Sequence, residues 1–284
     1  MSDQVLIFEM GPRYGLQNEK QFVETADKVK LINDLVDCGF RKIEVASFVS
    51  PKWVPQMADA EDVVAQLPKG APSKFAALTP NVRGLTRALG TGLDEVAVFA
   101  SASEAFSQKN INCSIEESLE RYQDVLELAR ENDMPVRGYV SCVTDCPYTG
   151  AIAPSEVARV AKALIDLGCY EVSLGDTIGK GTPETVNKKL DTALDVEPAE
   201  RLAGHFHDTS GRAIENIAAS LARGVRVFDS SVGGLGGCPY APGASGNVAT
   251  EAVVAFLHGQ GIETGIDVDK LAEVGRFAKT LRTD

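Results

Sequence analysis

The sequence predicts an α/β fold, a closed (β/α)8 barrel of the TIM type with a glycine-rich lid loop and a C-terminal helical extension. Three observations predict it. Short β-type runs alternate with longer helical patterns along the chain, which argues for a parallel sheet with helical crossovers. The alternation repeats through eight units, the number that closes a barrel. The doubly wound alternative lacks its signature, because the first strand runs into Gly11-Pro12-Arg13-Tyr14-Gly15 rather than a G-x-G-x-x-G turn. No Pro/Ser-rich linker divides the 284 residues, so one domain spanning 1–284 is expected, with 231–284 supplying the lid loop and terminal helices.

Each element has a local reason. Val5–Met10 is apolar and strand-like; MSDQVLIFEMGPR lacks a basic leader and a small-residue cleavage site, so it reads as a first strand and not a signal peptide. Thr25–Cys38 carries Val29, Ile32, Leu35 and Val36 at helical spacing, with Gly39 as a stop. Lys42–Ala46 is the second strand and Asp59–Leu67 its helix. Lys74–Leu78 is the third, followed by Val82–Leu89 and the stop at Gly90. Glu95–Ala100 is the fourth; a long helix from Ile115 to Asn132 follows, opened by a capping box of Ser114 and Glu117. Val136–Val143 precedes Ser155–Leu167 and Gly168. Glu171–Leu174 precedes Pro183–Leu194, where Pro183 suits a first turn. Leu202–His207 precedes Gly211–Arg223, stopped by Gly224. Arg226–Ser230 is the eighth strand; helices Thr250–His258 and Val268–Leu281 complete the chain.

Composition narrows the function. With 44% hydrophobic and 24% charged residues the chain reads as a soluble globular protein. A net charge of −12 without a basic stripe argues against nucleic-acid binding, which works by neutralising phosphates. No run of about 18 apolar residues exists, so no membrane span is expected. Six cysteines spread over this length do not form a disulfide framework. They fit free thiols in a reducing cytoplasm, with a matrix-like compartment also open.

In a barrel the active site lies at the C-terminal ends of the strands. Polar residues collect there: Arg13, Tyr14, Gln17 and Lys20 after the first strand, Glu44 and Ser47 in the second, Asp176 after the sixth. Helix capping accounts for many such residues, but poorly for Glu44 or for His205-Phe206-His207. Positions i and i+2 of a strand face the same way. Two of only three histidines therefore project together at a strand end, as two metal ligands do. Two interior hydrogen-bonded histidines are the plainer alternative; His258 reads as structural or surface. Oxygen donors such as Asn247 would favour magnesium or manganese over zinc. The loop Gly233–Asn247 reads as a mobile lid, a phosphate cradle or a linker, with Cys238 an exposed reactive thiol or an inert one.

These residues resemble the hydroxymethylglutaryl-CoA lyase family, within the metal-dependent barrels that include isopropylmalate and homocitrate synthases. The resemblance spans nearly the whole chain. It is carried by GPRYGLQNEK (Gly11–Lys20), EVASFVSPKWVPQM (Glu44–Met57), KNINCSIEES (Lys109–Ser118), RGYVSC (Arg137–Cys142), SLGDTIG (Ser173–Gly179), HFHDT (His205–Thr209) and GGLGGCPYAPGASGN (Gly233–Asn247). It implies Mg2+- or Mn2+-dependent cleavage of 3-hydroxy-3-methylglutaryl-CoA to acetyl-CoA and acetoacetate, as in leucine degradation and ketone-body formation. By the same resemblance Arg13 is the cation for the enolate oxygen, and His205, His207 and Asn247 are metal ligands. His205 also shuttles a proton, and Cys238 on a closing loop is a flexible acid or base. Glu44 and Asp176 orient ligands and water, while Gln17 and Ser47 line the acyl pocket. Lys20 and Asn110 are further substrate contacts, and Lys52 and Lys109 candidates for the CoA phosphates. A cytoplasmic homodimer, packed through the terminal helix, is also implied. The alternatives are a related aldol or Claisen lyase on another 3-hydroxyacyl-CoA, and a non-catalytic acyl-CoA-binding barrel.

One position departs from the family. Its first motif reads Arg-Asp-Gly-Leu-Gln, whereas this chain has Arg13-Tyr14-Gly15-Leu16-Gln17. The missing aspartate is the family's anionic metal ligand. A phenol with a pKa near 10 is neutral at pH 7 and suits Mg2+ poorly. Retention of the other motif positions favours a lyase scaffold with one weakening change over a natural protein with altered chemistry or a barrel that has lost catalysis. Weak divalent-metal binding and much reduced cleavage are the expectation.

Overall fold

Eight short segments pair in parallel and close on themselves in the computed structural model, which describes residues 3–237 and 246–282. The strands are β1 (Leu6–Glu9), β2 (Lys42–Ser47), β3 (Lys74–Leu78), β4 (Glu95–Ser101) and β5 (Val136–Ser141). A small antiparallel pair, β6 (Asp145–Cys146) with β7 (Gly150–Ala151), stands apart. The barrel then continues with β8 (Glu171–Asp176), β9 (Leu202–Phe206) and β10 (Val227–Ser230), and β10 returns to β1 with Glu9 opposite Ser230. This is the predicted (β/α)8 architecture.

The helices are α1 (Thr25–Asp37), α2 (Ala60–Ala65), α3 (Val82–Leu89), α4 (Glu104–Ile111), α5 (Ile115–Glu131), α6 (Pro154–Leu167), α7 (Pro183–Leu194), α8 (Ala213–Leu221), α9 (Thr250–Gly259) and α10 (Val268–Thr280). The capping box at Ser114 and Glu117 is present. Helix α4 and the β6–β7 pair were not expected. In α4 apolar periodicity is weak; Ser103 Oγ accepts the Phe106 N–H at 3.3 Å, and Asn112 ends the helix at φ 51°. Strand β9 stops one residue short of the prediction, at Phe206, while His207 forms a bridge to Asn247.

The large apolar cluster fills the layer between strands and helices, from Ile7, Val45 and Val98 on strands to Leu35, Val125 and Leu164 on helices. The barrel interior is different. It holds a small apolar cluster of Phe8, Met10 and Ala76, with Tyr14 and Tyr139 against it, and a set of buried charges. Arg137 pairs with Glu171 at 2.7 Å and Asp229 at 2.8 Å, with its guanidinium 4.3 Å from the Phe8 ring centre. Buried charges persist only when paired in this way.

The last helix packs on its own chain. Leu271, Val274 and Ala278 of α10 are buried. Where α10 passes α9, Gly275 leaves room for Glu251, which accepts the Gly233 N–H at 3.0 Å. Among the described residues no helix is long and apolar enough to cross a membrane.

Candidate active site

The site begins where β1 ends. Gly11–Gly15 forms a single π-helical turn, with Gly15 N–H donating to Met10 O at 3.1 Å and Leu16 N–H to Gly11 O at 3.0 Å. Such turns recur at functional sites. A Cβ on Gly15 would sit 2.7 Å from Leu235 Cβ, so only glycine lets this turn pack against the segment after β10. The turn carries Arg13 and Tyr14 into one cavity of about 740 Å³, which Gln17, Asn110, Tyr139 and His205 also line.

Arg13 is only 4% exposed, yet fixed from several sides. Its Nε donates to Glu44 Oε2 at 2.5 Å and its Nη1 to Gln17 Oε1 at 3.5 Å. Its guanidinium lies 4.9 Å from the Tyr14 ring centre and 5.9 Å from that of Tyr139. Tyr139 in turn donates its hydroxyl to Glu44 Oε1 at 3.2 Å. Glu44, fully buried on β2, therefore holds the cation.

His205 and His207 lie together, their ring centres 5.4 Å apart. His205 Nδ1 meets Asp229 Oδ2 at 3.2 Å, and that oxygen accepts the Ser173 hydroxyl at 2.7 Å. Burial alone would raise the Asp229 carboxyl, but Arg137 and His205 outweigh it and hold its pKa below the ordinary value. An anion on one imidazole nitrogen fixes the tautomer and aims the other. That other atom, His205 Nε2, is buried without a partner, as is His207 Nδ1. Burial, with His205 beside it, drops the His207 pKa to about 3, so this imidazole is neutral. Asn247 sits opposite His207, and its Nδ2 donates to Leu235 O at 2.9 Å.

Other expected residues are placed differently. Ser47 is buried with an unpartnered Oγ, away from the cavity lining. Lys20 and Lys52 are exposed and do not line it, whereas Lys109 does. Asp176 is engaged by the Thr144 hydroxyl and accepts the Gly181 N–H at 2.8 Å, so it ties down the turn after β8; among the described contacts it has no bond to His205 or His207. Cys238 and the lid residues 238–245 lie outside the described residues. His258 is exposed and meets Thr264 Oγ1 at 3.0 Å, a surface role.

The sequence reading missed Asp229, Tyr139, Arg137, Trp53 and Arg121. A charge inside the apolar run Val227–Ser230 was a usable signal for Asp229. Arg121 and Trp53 gave none, since one sits on a charged helix face and the other, 84% exposed, stands in a loop at the rim.

The donor set tests the expected cation. Among the described residues no three His, Cys, Asp or Glu side chains converge as metal ligands. What lies together is two imidazoles and the Tyr14 phenol, whose Oη is hydrogen-bonded to His207 Nε2 at 3.4 Å, with Asn247 bridged to His207 through the backbone. Two imidazoles and an amide oxygen could hold a divalent cation only with further donors. The carboxylate that Mg2+ and Mn2+ favour is replaced by Tyr14, so either ion would be held weakly.

The chain is 57% identical over 272 residues to the 3-hydroxy-3-isohexenylglutaryl-CoA/hydroxymethylglutaryl-CoA lyase of Pseudomonas aeruginosa, covering 96% of this chain and 91% of that protein. It is 56% identical to the hydroxymethylglutaryl-CoA lyase of Pseudomonas mevalonii, with 95% and 90% covered. The crystal structure of the HMG-CoA lyase from Brucella melitensis superposes with a TM-score of 0.98 at 56% identity, covering 100% of both chains. An HMG-CoA lyase from Acinetobacter baumannii, solved with coenzyme A and 3-methylmalate, superposes at 0.93 with 35% identity, over 99% of this chain and 92% of that one. The HMGL-like family model matches residues 4–278, and the chain belongs to that family.

Proposed function

We propose that this protein is a carbon–carbon lyase that splits 3-hydroxy-3-methylglutaryl-CoA into acetyl-CoA and acetoacetate. The observation that carries the reading is Arg13, a buried guanidinium held by Glu44 on the wall of the cavity that His205 also lines. In the reaction the C3 hydroxyl loses a proton, the C2–C3 bond breaks, and its electron pair passes to the thioester enolate. Acetoacetate leaves with the new C3 carbonyl, and a proton returned to C2 gives acetyl-CoA. A fixed cation at the enolate oxygen costs no reorganisation when charge develops there. His205 Nε2 is the basic lone pair in this space. It is the group this chain places to accept the C3 hydroxyl proton. A divalent cation held by His205, His207 and Asn247 would, when bound, acidify the C3 hydroxyl as a Lewis acid.

The cavity mouth suits the CoA end. Lys109 and Arg121 supply positive charge, and Trp53 an exposed ring. A relative solved with coenzyme A supports this ligand class. The same reading takes in a homodimer in the cytoplasm, which sedimentation and fractionation would test.

Acetoacetate release from 3-hydroxy-3-methylglutaryl-CoA is the deciding measurement. Cleavage is expected to be slow in the parent chain and about a hundredfold or more faster in Tyr14→Asp, since even outer-shell partners of a metal site are worth 10–100-fold. Arg13→Gln is expected to cost about 10²–10³ in kcat. Absence of acetoacetate from both the parent and Tyr14→Asp would refute the reading.

A further inference from the structure

We infer that Cys142 and Cys146 form a redox modification site: a low-molecular-weight disulfide oxidises the pair to an intramolecular disulfide, and this loosens the cavity wall carried by α4. The inference rests on the lyase reading only in taking the cavity as the place of the CoA thioester.

The two thiols differ in kind. Cys146 ends β6, and its Sγ accepts the Ser103 hydroxyl at 3.0 Å and the Tyr148 N–H at 3.4 Å. Thr149 adds hydrogen bonds from its hydroxyl and its N–H. Two successive backbone N–H groups and two hydroxyls make a cradle for an anion. Burial alone would raise this thiol, but the donors outweigh it and hold its pKa below the ordinary value. Cys142 follows β5 directly, and its side chain hydrogen-bonds with Cys146 and Ser101. Burial, with the Cys146 sulfur beside it, pushes its pKa up to about 12. A thiolate-prone sulfur against a protonated one is the arrangement of an attacking and a resolving cysteine.

The backbone is poised as well. Cys142 stands at φ 59°, a left-handed conformation uncommon outside glycine. Its N–H donates to Thr177 Oγ1 at 2.8 Å. Strain of this kind collects at switch regions. Cys146 is 3% exposed, and what covers it is the β6–β7 hairpin, two residues to a strand, with Tyr148 48% exposed. So short a hairpin is marginal by itself, and its opening admits a small oxidant.

The chemistry balances within the three partners. The Cys146 thiolate attacks one sulfur of the oxidant and expels the first thiolate. Cys142, giving up its proton, attacks the Cys146 sulfur and expels the second. Two electrons and two protons pass to the oxidant, which leaves as two thiols.

Ser103 carries the change to the cavity. The hydroxyl that donates to Cys146 also accepts the Phe106 N–H at 3.3 Å, the N-cap bond of α4. Helix α4 brings Phe106, Lys109 and Asn110 to the cavity. Eight residues are not a stable helix alone, so a cap that loses its anchor on Cys146 loosens this wall.

The test treats the reduced whole protein with oxidised glutathione, then digests it with trypsin without reduction. Residues 138–159 form one tryptic peptide holding both cysteines. Expected is this peptide lighter by two hydrogens, closed to alkylation and restored by dithiothreitol. Cys142→Ser should instead keep glutathione on Cys146, with circular dichroism confirming the fold. The oxidised parent should bind acetyl-CoA, which has no free thiol to reverse the disulfide, about fivefold more weakly in calorimetry. The affinity of Cys146→Ser should not respond to oxidised glutathione, which separates this site from the other cysteines. The inference is overturned if both cysteines still alkylate, if glutathione stays on either one in the parent, or if oxidised and reduced parent bind acetyl-CoA alike. Absence of acetoacetate release would count against the lyase reading alone, because the peptide map uses no catalysis.

Discussion

Asp229 does two jobs with two oxygens. Oδ1 faces Arg137 at 2.8 Å, and Oδ2 faces His205 Nδ1 at 3.2 Å. The charge at the barrel's heart and the aim of the candidate base are therefore the same problem. Asp229→Asn keeps the shape and removes the anion. It is expected to lower kcat about 10–100-fold with little change in KM, because the imidazole loses its fixed tautomer and not its contact with substrate. Urea unfolding of the same variant should show a loss of about 3 kcal/mol or more, since Arg137 keeps only Glu171. An unchanged kcat would leave Asp229 a purely structural partner. The H-x-H pair was legible because a strand has period two. Its partner was not, because Asp229 reaches His205 only through the register of β9 against β10.

Glu9 shows how elements are tied together. Its carboxyl accepts the Gly11 and Val232 N–H groups at 2.8 Å each and the Thr250 hydroxyl at 2.6 Å. One side chain thus joins β1, the turn after β10 and the start of α9. Burial raises its pKa from 4.5 to about 7, against the pull of those hydrogen bonds. The folded state then holds this proton more tightly than the unfolded chain. Its contribution to stability is complete below pH 4.5 and is lost as pH rises through about 7, a change of about 3 kcal/mol at about 1.4 per pKa unit. Glu9→Gln, able to serve the same partners through Oε1 and Nε2, should flatten denaturation midpoints between pH 5 and 8. A parent midpoint that does not fall across that window would contradict the assignment. At this scale most helices were legible from periodicity and stops. Helix α4 was not, because eight weakly amphipathic residues are not stable alone and hold together through the caps at Ser103 and Asn112.

Across the whole molecule, a net charge of −12 coexists with a site for a polyanion. Net charge governs solubility, while local groups govern binding. Lys109→Ala with Arg121→Ala should raise KM for the CoA thioester a few-fold and leave kcat alone, because exposed charges are worth about 0.2–1 kcal/mol each. A matching fall in kcat would place these residues nearer the chemistry. The terminal helix closes the fold through one close approach. Gly275→Ala would put a methyl group on the Glu251 carboxylate that caps Gly233, and should cost about 1–3 kcal/mol in chemical denaturation. By itself the sequence determined the eightfold βα alternation, the candidate residues at the strand ends, and the family motifs including the departure at Tyr14. Those follow from local periodicity and residue chemistry, which neighbours along the chain express. Only the tertiary structure decided that Glu44 clamps Arg13, that Asp176 serves a turn, and that the Tyr14 hydroxyl is hydrogen-bonded to His207 Nε2. These contacts join residues 5 to 193 positions apart, and their distances are set by barrel closure and strand register, which no stretch of sequence contains.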